Sequence, residues 1–414
     1  MKNPNLDSVE LFLIKMKKKA RILGPAGARA RKMLKYRQTK GDAAVQPNIL
    51  VINPGSTSDD IGYYRGKTPV FEITVRYSQT DLEPYEGKNI TEQLPLRRKL
   101  ILDFLIDHKV PLKEINAVIG RGGFIRSVEG GVYAVNDQMV SDLETGRYGG
   151  IHASNLGGIL AREIAQYAKC PSFIANPVVI DELQPLSRYS GMPENPRLSI
   201  FHALSQKRVA RMIAEKRGYR YESVNCIVCH GGGGISVGAH CKGKVIDVSN
   251  GYEGDGPMTP QRSGAVPGAG LVEMCFSGKY TQKDIRLKMR GKGGIAAYTG
   301  TYDVKELEEF IQTGKKRPGS LIHCSREKAK EALDAMIYQI SKEIGALAVT
   351  LCGKVDFIAL TGGLMFSKYI PHEIGRQTSW IAPIYVFPGS EEKDALRDAA
   401  RRALEDPSIV KHYS

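Results

Sequence analysis

No uninterrupted apolar run in this chain of 414 residues approaches the roughly 18 residues that a membrane-spanning helix needs. Its N-terminal region also lacks the apolar centre and small-residue cleavage site of a secretory signal. Both absences lead to the expectation of an intracellular, cytoplasmic protein with no membrane contact. A disulfide framework is missing too. The seven cysteines, at 170, 226, 229, 241, 275, 324 and 352, are odd in number and scattered through apolar segments, as reduced buried thiols are. Cys226 and Cys229 have the spacing of a redox or metal pair, but no second such pair completes a tetrahedral site. In a strand, residues three apart also point to opposite faces.

Acidic residues are too few to balance the base, and the net charge of +15 looks like a nucleic-acid signal until it is located. Residues 1–46 carry twelve Lys or Arg against Asp7, Glu10 and Asp42, so +9 of the total sits there. The expectation is a basic, disordered extension over 1–46, a solvated tail with at most one weak helix. Its clusters at Lys15 to Lys19 and Arg29 to Lys32 also suit RNA, acidic lipid or a partner, and nucleic acid is expected at most through this arm. A basic, Ser-poor transit peptide stays open as a reading. The remainder is ordinary globular protein, 42% of the whole chain being hydrophobic and 25% charged. Its length exceeds one typical core, so two domains are expected.

Strand-like runs recur at 49–53, 70–76, 115–119, 226–229, 245–248, 356–361 and 381–387. Helical periodicity fills 97–108, 137–145, 155–168, 199–217, 325–351 and 391–404. This alternation is α/β order. In the long helix, Ala332, Ala335, Met336, Ile340, Ile344 and Leu347 fall at helical spacing and read as core.

The first strand runs from Ile49 to Ile52 directly into Asn53-Pro-Gly-Ser-Thr-Ser58. Small hydroxyls and backbone N–H groups freed by Gly55 can converge on an anion there, although an ordinary Ser-rich turn reads equally well. Asp59 and Asp60 count against a phosphate. A second strand-to-turn junction, His230-Gly-Gly-Gly-Gly234, lies roughly 175 residues later. Its four glycines cost backbone entropy that close approach to a ligand explains, and a flexible hairpin without ligand is the plainer alternative. A third glycine turn, Thr361-Gly-Gly-Leu364, follows the strand at 356–361. Ligands of open α/β sheets bind at strand C-terminal ends, where all three turns would lie.

Two loop arginines could reach a carboxylate or phosphate, Arg121 in Gly120-Arg-Gly-Gly123 and Arg262 in Pro260-Gln-Arg-Ser-Gly264. Either could equally be a solubilising surface residue. His152, in Gly149-Gly-Ile-His152, is a substrate contact or a histidine satisfied at a helix start. Glu391 and Glu392 at a helix start are by themselves a dipole-complementing pair.

Together these residues resemble the acetate and butyrate kinase family over roughly 48–404. Besides the turns already described, the matching stretches include His152-Ala-Ser-Asn-Leu-Gly-Gly158, Asp181-Glu182, Ser199-Ile-Phe-His-Ala-Leu204, Gly234-Ile-Ser-Val-Gly-Ala-His240 and Cys275-Phe-Ser-Gly-Lys-Tyr280. The resemblance implies an actin-like ATPase fold of two lobes, expected over 47–176 plus 393–414 and over 177–392. It implies transfer of a phosphoryl group from ATP to a short-chain fatty acid, with ATP and Mg²⁺ as cofactors and a homo-oligomer as the assembly. By the same carry-over, Arg121 would hold the carboxylate, and Arg262 and His230 the phosphoryl group in transit, with His152 nearby. Ser56, Thr57, Ser58 and Gly232, Gly233 and Gly234 would bind the phosphates. Gly362 and Gly363 would face adenosine, and Asn53 with Glu391 or Glu392 would support Mg²⁺.

Three positions depart from the family pattern. Asp60 stands where the family places a lysine, Asn176 of Asn176-Pro-Val-Val179 stands where it places the catalytic aspartate, and Gly231 replaces a leucine. A fatty-acid carboxylate is already ionised at pH 7 and needs no general base. The expectation is therefore a working acyl kinase of reduced rate with Asn176 still in the site. The alternatives are a catalytically weak nucleotide-binding paralogue acting as an interaction protein, and a kinase of a different small carboxylate.

Overall fold

Strand β1 (Asn48–Pro54) has an unbroken aliphatic centre because it is covered on both faces of a sheet. The computed structural model describes residues 46–86, 88–150, 152–252, 254–389 and 391–414. Of the basic extension expected over 1–46, only the last residue is among them. β2 (Ser58–Arg65) and β3 (Thr68–Arg76) fold back antiparallel from β1, and β4 (Ala117–Arg121) lies parallel on its other side. β5 (Val132–Ala134) and β6 (Ser172–Ala175) extend the sheet beyond β4. The same plan then repeats. β7 (Asn225–Gly231), β8 (Ile235–Cys241) and β9 (Lys244–Val248) run antiparallel in succession, with β10 (Phe357–Gly362) parallel to β7 and β11 (Ile384–Pro388) parallel to β10. β12 (Val410–Lys411) returns to the first sheet. The orders are β12-β5-β6-β4-β1-β2-β3 and β11-β10-β7-β8-β9.

The helices of eight residues or more are α1 (Leu94–Asp107), α2 (Asp137–Thr145), α3 (Asn155–Ala168), α4 (Ala203–Lys216), α5 (Gly268–Phe276), α6 (Gln282–Met289), α7 (Val304–Thr313), α8 (Arg326–Thr350), α9 (Tyr369–Thr378) and α10 (Glu392–Glu405). Leu50 and Ile52 of β1 pack on Ile101 and Phe104 of α1 and on Leu156 and Leu160 of α3. Ile49 and Val51, on the other face, meet Leu396, Ala399 and Ala400 of α10. In the second sheet Cys229 and Ile227 meet Met336 and Ile340 of α8, whereas Cys226 and Val228 meet Val209 and Ile213 of α4. The two cysteines thus lie on opposite faces. α4 and α10 pack against each other, tied by Arg208 to Asp398 at 2.6 Å.

Several boundaries differ from those read in the sequence. The strand expected at 115–119 is Ala117–Arg121, because its ladders to β1 and β6 start at 117 and 118. Arg121 is therefore the last strand residue rather than a loop residue beyond it. The helix expected from 199 begins at Ala203, with His202 at its cap position. Among the elements the sequence reading did not foresee are β2, β5, β6, β8 and α5, α6, α7 and α9. β2 and β8 are the return strands of the two Gly- and Ser-rich turns, so each turn is a hairpin tip. Gly55 N–H donates to Ser58 O at 2.6 Å, and Gly232 N–H to Gly234 O at 2.9 Å.

Candidate functional site

The first turn is braced from beneath by a cation that the sequence reading missed. Arg97 of α1 is fully buried, forms an ion pair with Asp59 and donates to the carbonyls of Gly55 at 2.9 Å and Ser56 at 3.2 Å. Tyr77 also donates to Asp59. Alternation in β2 sends the two carboxylates to opposite faces. Asp59 is neutralised on the α1 side, so it does not act as a bare charge toward an anion. Asp60 lies directly across the ladder from Asn53 and accepts from Thr74 Oγ1 at 2.5 Å. The readable signal for Arg97 was an arginine at i, i+4 and i+7 from Ile101 and Phe104, on the apolar stripe of α1.

Asn53 and Arg121 end neighbouring parallel strands and reach one carboxylate. Asn53 Nδ2 donates to Glu392 Oε2 at 3.1 Å, and Arg121 Nη1 donates to the same oxygen at 3.0 Å. Asn53 Oδ1 is buried with no hydrogen-bond partner among the described residues. An orphan acceptor beside a carboxylate fits a hard cation. Mg²⁺ retains several waters and takes few protein oxygens, so this sparse pair suffices. Among the described residues no group of three or more His, Cys, Asp or Glu side chains gathers for a metal. Glu391 instead pairs with Arg208 at 3.6 Å.

The second turn is built around Arg262. A side chain at Gly234 would come within 2.5 Å of the Arg262 guanidinium, so glycine leaves that group its room. Arg262 donates to Gly251 O, its backbone N–H donates to Thr259 Oγ1 at 2.9 Å, and Thr259 Oγ1 in turn donates to Gly233 O at 2.8 Å. The His230 ring pairs through Nδ1 with Ser205 Oγ at 2.9 Å, while its Nε2 borders the position of a Gly232 side chain. It stacks on His202 with centroids 4.0 Å apart. Burial pushes the His230 pKa down to about 4, with the Glu392 charge opposing and Arg121 adding to the depression. His202, also missed although it stood in a matching stretch, is held well below the usual range, first by burial and then by His230.

Arg121, His152, His202 and Arg262 meet around a cavity of about 110 Å³ whose apolar walls are Phe124, Val178, Ile200 and Phe201. His152 pairs with Ser154 Oγ at 3.0 Å, and burial, then Arg121 and Arg262, lower its pKa. Tyr252 closes one side beneath both Arg262 and Arg290, whose guanidinium carbons lie 5.6 and 4.3 Å from its ring centre.

Other expected site residues have local structural duties. Asn176 sits at φ 42°, in the left-handed region that Asn tolerates, and its Oδ1 accepts from Gly131 N–H at 2.9 Å. Gly362 sits at φ 96° with Gly231 O only 2.2 Å from where a side chain would begin, so close strand packing already requires glycine. Space beside Gly363 and Gly233 is open. Ser56 and Thr57 are exposed at the hairpin tip and Ser58 is half-buried.

Comparison with known proteins agrees with this geometry. The model of the Acetokinase family matches residues 197–366. A protein of Elusimicrobium minutum (strain Pei191), described as a probable butyrate kinase, is 60% identical over 370 residues, covering 89% of this chain and 100% of its own. The acetate kinase of Porphyromonas gingivalis superposes with a TM-score of 0.68 at 20% identity, over 88% of this chain and 100% of that one. A propionate kinase of Francisella tularensis subsp. tularensis SCHU S4 gives 0.66 at 17% identity, over 85% of this chain and 98% of that one. At such identities the two structures speak for the fold alone, the two-lobed α/β fold of actin-like ATPase type. With the 60% identical relative spanned end to end, the chain belongs to the acetokinase family.

Proposed function

We propose that this chain moves the γ-phosphoryl group of ATP onto the carboxylate of a short-chain fatty acid, giving ADP and an acyl phosphate, or runs the transfer in reverse. One observation carries the reading. Arg121 and Arg262 share a small cavity with apolar walls, which suits a molecule with one carboxylate and a short apolar tail. The name of the relative from Elusimicrobium minutum makes butyrate the first acid to test.

A carboxylate oxygen attacks the γ-phosphorus in line, and the bond from that phosphorus to the β–γ bridging oxygen breaks. No proton has to be removed, so a neutral Asn176 is compatible with turnover. Arg121 holds the acid, and Arg262 spreads over the equatorial oxygens where charge develops. His230 is neutral near pH 7. In the tautomer whose Nδ1 accepts from Ser205 Oγ, the imidazole proton sits on Nε2 and would be donated to the migrating group. His152 lines the same cavity. Hydroxyls of Ser56, Thr57 and Ser58 and the backbone of Gly232, Gly233 and Gly234 receive the phosphates, and Gly362 and Gly363 border adenosine. Asn53 and Glu392 would hold Mg²⁺, which when bound offsets phosphate charge. Asp60, across from Asn53, returns to this face a carboxylate that position 176 lacks.

The lobe division at 47–176 plus 393–414 and 177–392, a homo-oligomer and a cytoplasmic location belong to the same reading. The deciding assay incubates the purified chain with MgATP and butyrate and traps acyl phosphate with hydroxylamine. Hydroxamate well above an Arg262→Ala control is expected; none, despite ATP binding, overturns the reading.

A further inference from the structure

Beside the small cavity lies a second one of about 460 Å³, lined by His152, Tyr252, Arg262, Lys283, Arg286 and Arg290 among others. Lys283, Arg286 and Arg290 recur at i, i+3 and i+7, so they share the face of α6 and its end that turns toward Arg262. An isolated bridge between Arg262 and Arg290 holds the two backbones together, and Ser263 N–H donates to Met289 O at 3.1 Å. Tyr252 then keeps the two guanidinium groups on its ring.

None of these four cations has a carboxylate partner within ion-pair distance among the described residues. Elsewhere the protein pairs its arginines readily, as Arg197 does with Asp247 and Asp255. Like charges one turn apart weaken a helix by a few tenths of a kcal/mol. The exposed members are screened by water, but Arg262 is partly buried. Burial, opposed by Tyr252 and reinforced by the Arg290 charge, lowers its pKa. Four cations around one concavity, none of them in an ion pair among the described residues, form a strong positive field there.

We propose that this cavity is a subsite for a phosphoryl dianion, either free inorganic phosphate or the phosphoryl end of the acyl phosphate, seated beside Arg262 rather than in the transfer position. The inference rests on the acyl kinase reading for its second ligand only. A dianion there meets Lys283 and Arg286 from α6 and Arg290 from its end, and it draws on the same guanidinium that the transfer uses. Free phosphate would therefore compete with acyl phosphate, and acyl phosphate would pause there on its way in or out.

The test titrates inorganic phosphate into the full-length protein by calorimetry, comparing wild type, Lys283→Gln/Arg286→Gln and Arg286→Glu. Both positions are exposed and outside the transfer machinery, so folding and forward kcat with ATP and butyrate should stay within about twofold. Each lost charge-assisted contact should weaken phosphate binding by about tenfold, whereas Lys342→Gln on α8 should leave it unchanged. A second arm measures the KM for butyryl phosphate in the reverse reaction. A KM raised in step with the phosphate Kd assigns the subsite to both ligands; an unmoved KM assigns it to free phosphate. Phosphate affinity equal in wild type and both α6 variants, or reduced equally by Lys342→Gln, overturns the inference. Failure of the kinase reading would differ, since wild type would then form no hydroxamate whatever its phosphate affinity.

Discussion

Asn53 donates to the Glu392 carboxylate across 339 residues of sequence, and so joins the first hairpin to the start of α10. Glu392 also receives Arg121, and Asn53 Oδ1 beside it is a buried acceptor without a partner among the described residues. The isosteric Glu392→Gln change keeps the packing and removes the charge. The Mg²⁺ concentration for half-maximal activity is expected to rise by about 10- to 100-fold. Asp60→Asn should raise it by less, because Asp60 is more remote and already bonded to Thr74. Unchanged Mg²⁺ dependence in Glu392→Gln would move the metal elsewhere.

Arg262→Ala should lower kcat by about 10³- to 10⁵-fold, the range of an arginine aimed at a migrating phosphoryl group. ATP affinity should change far less. Arg262→Lys should recover little, since a point charge cannot reproduce the planar fork. Tyr252→Leu removes the ring beneath the Arg262 and Arg290 guanidinium groups and should cost about tenfold, which steady-state kinetics would detect.

Asn176→Asp tests the departure from the family pattern. Aspartate tolerates the left-handed backbone and can still accept from Gly131, so the fold should be unaffected. Because the acid substrate needs no base, kcat should change by less than about tenfold; a general base would be worth about 10²- to 10⁴-fold.

Arg97→Met would strand Asp59 in the interior. Breaking a buried ion pair costs about 3–5 kcal/mol, and urea unfolding should read that loss. Arg97→Met with Asp59→Asn should recover much of it, because no unpaired charge then remains.

His230 and His240 are buried, His202 is partly so, and all three resist protonation; burial leads in each case, bringing His230 to about 4 and His240 to about 3. An unfolded histidine titrates near 6.5. Below that pH the unfolded chain binds more protons than the folded one, so stability should fall as pH drops from about 6.5 toward 4. Each imidazole contributes up to about 1.4 kcal/mol per pH unit. Urea midpoints measured from pH 7.5 to 4.5 should fall steeply, and a flat profile would mean that the folded protein already carries the protons.

The sequence by itself determined the α/β order, the two Gly- and Ser-rich turns and the loop that carries Arg262. Aliphatic runs, glycine clusters and helical spacing are local properties that backbone sterics and burial translate directly. It also marked Asp60 and Asn176 as unusual. Only the tertiary structure decided what those charges meet. Arg97 neutralises Asp59 because α1 packs beneath the first turn, a contact 38 residues long in sequence. Glu392 rather than Glu391 faces Asn53 because α10 starts at the former and sets the direction of each side chain. The cationic face of α6 became visible only when the bridge to Arg262 brought it beside the site. Such pairings arise from packing between distant segments, where electrostatics depends on distances that no local pattern encodes.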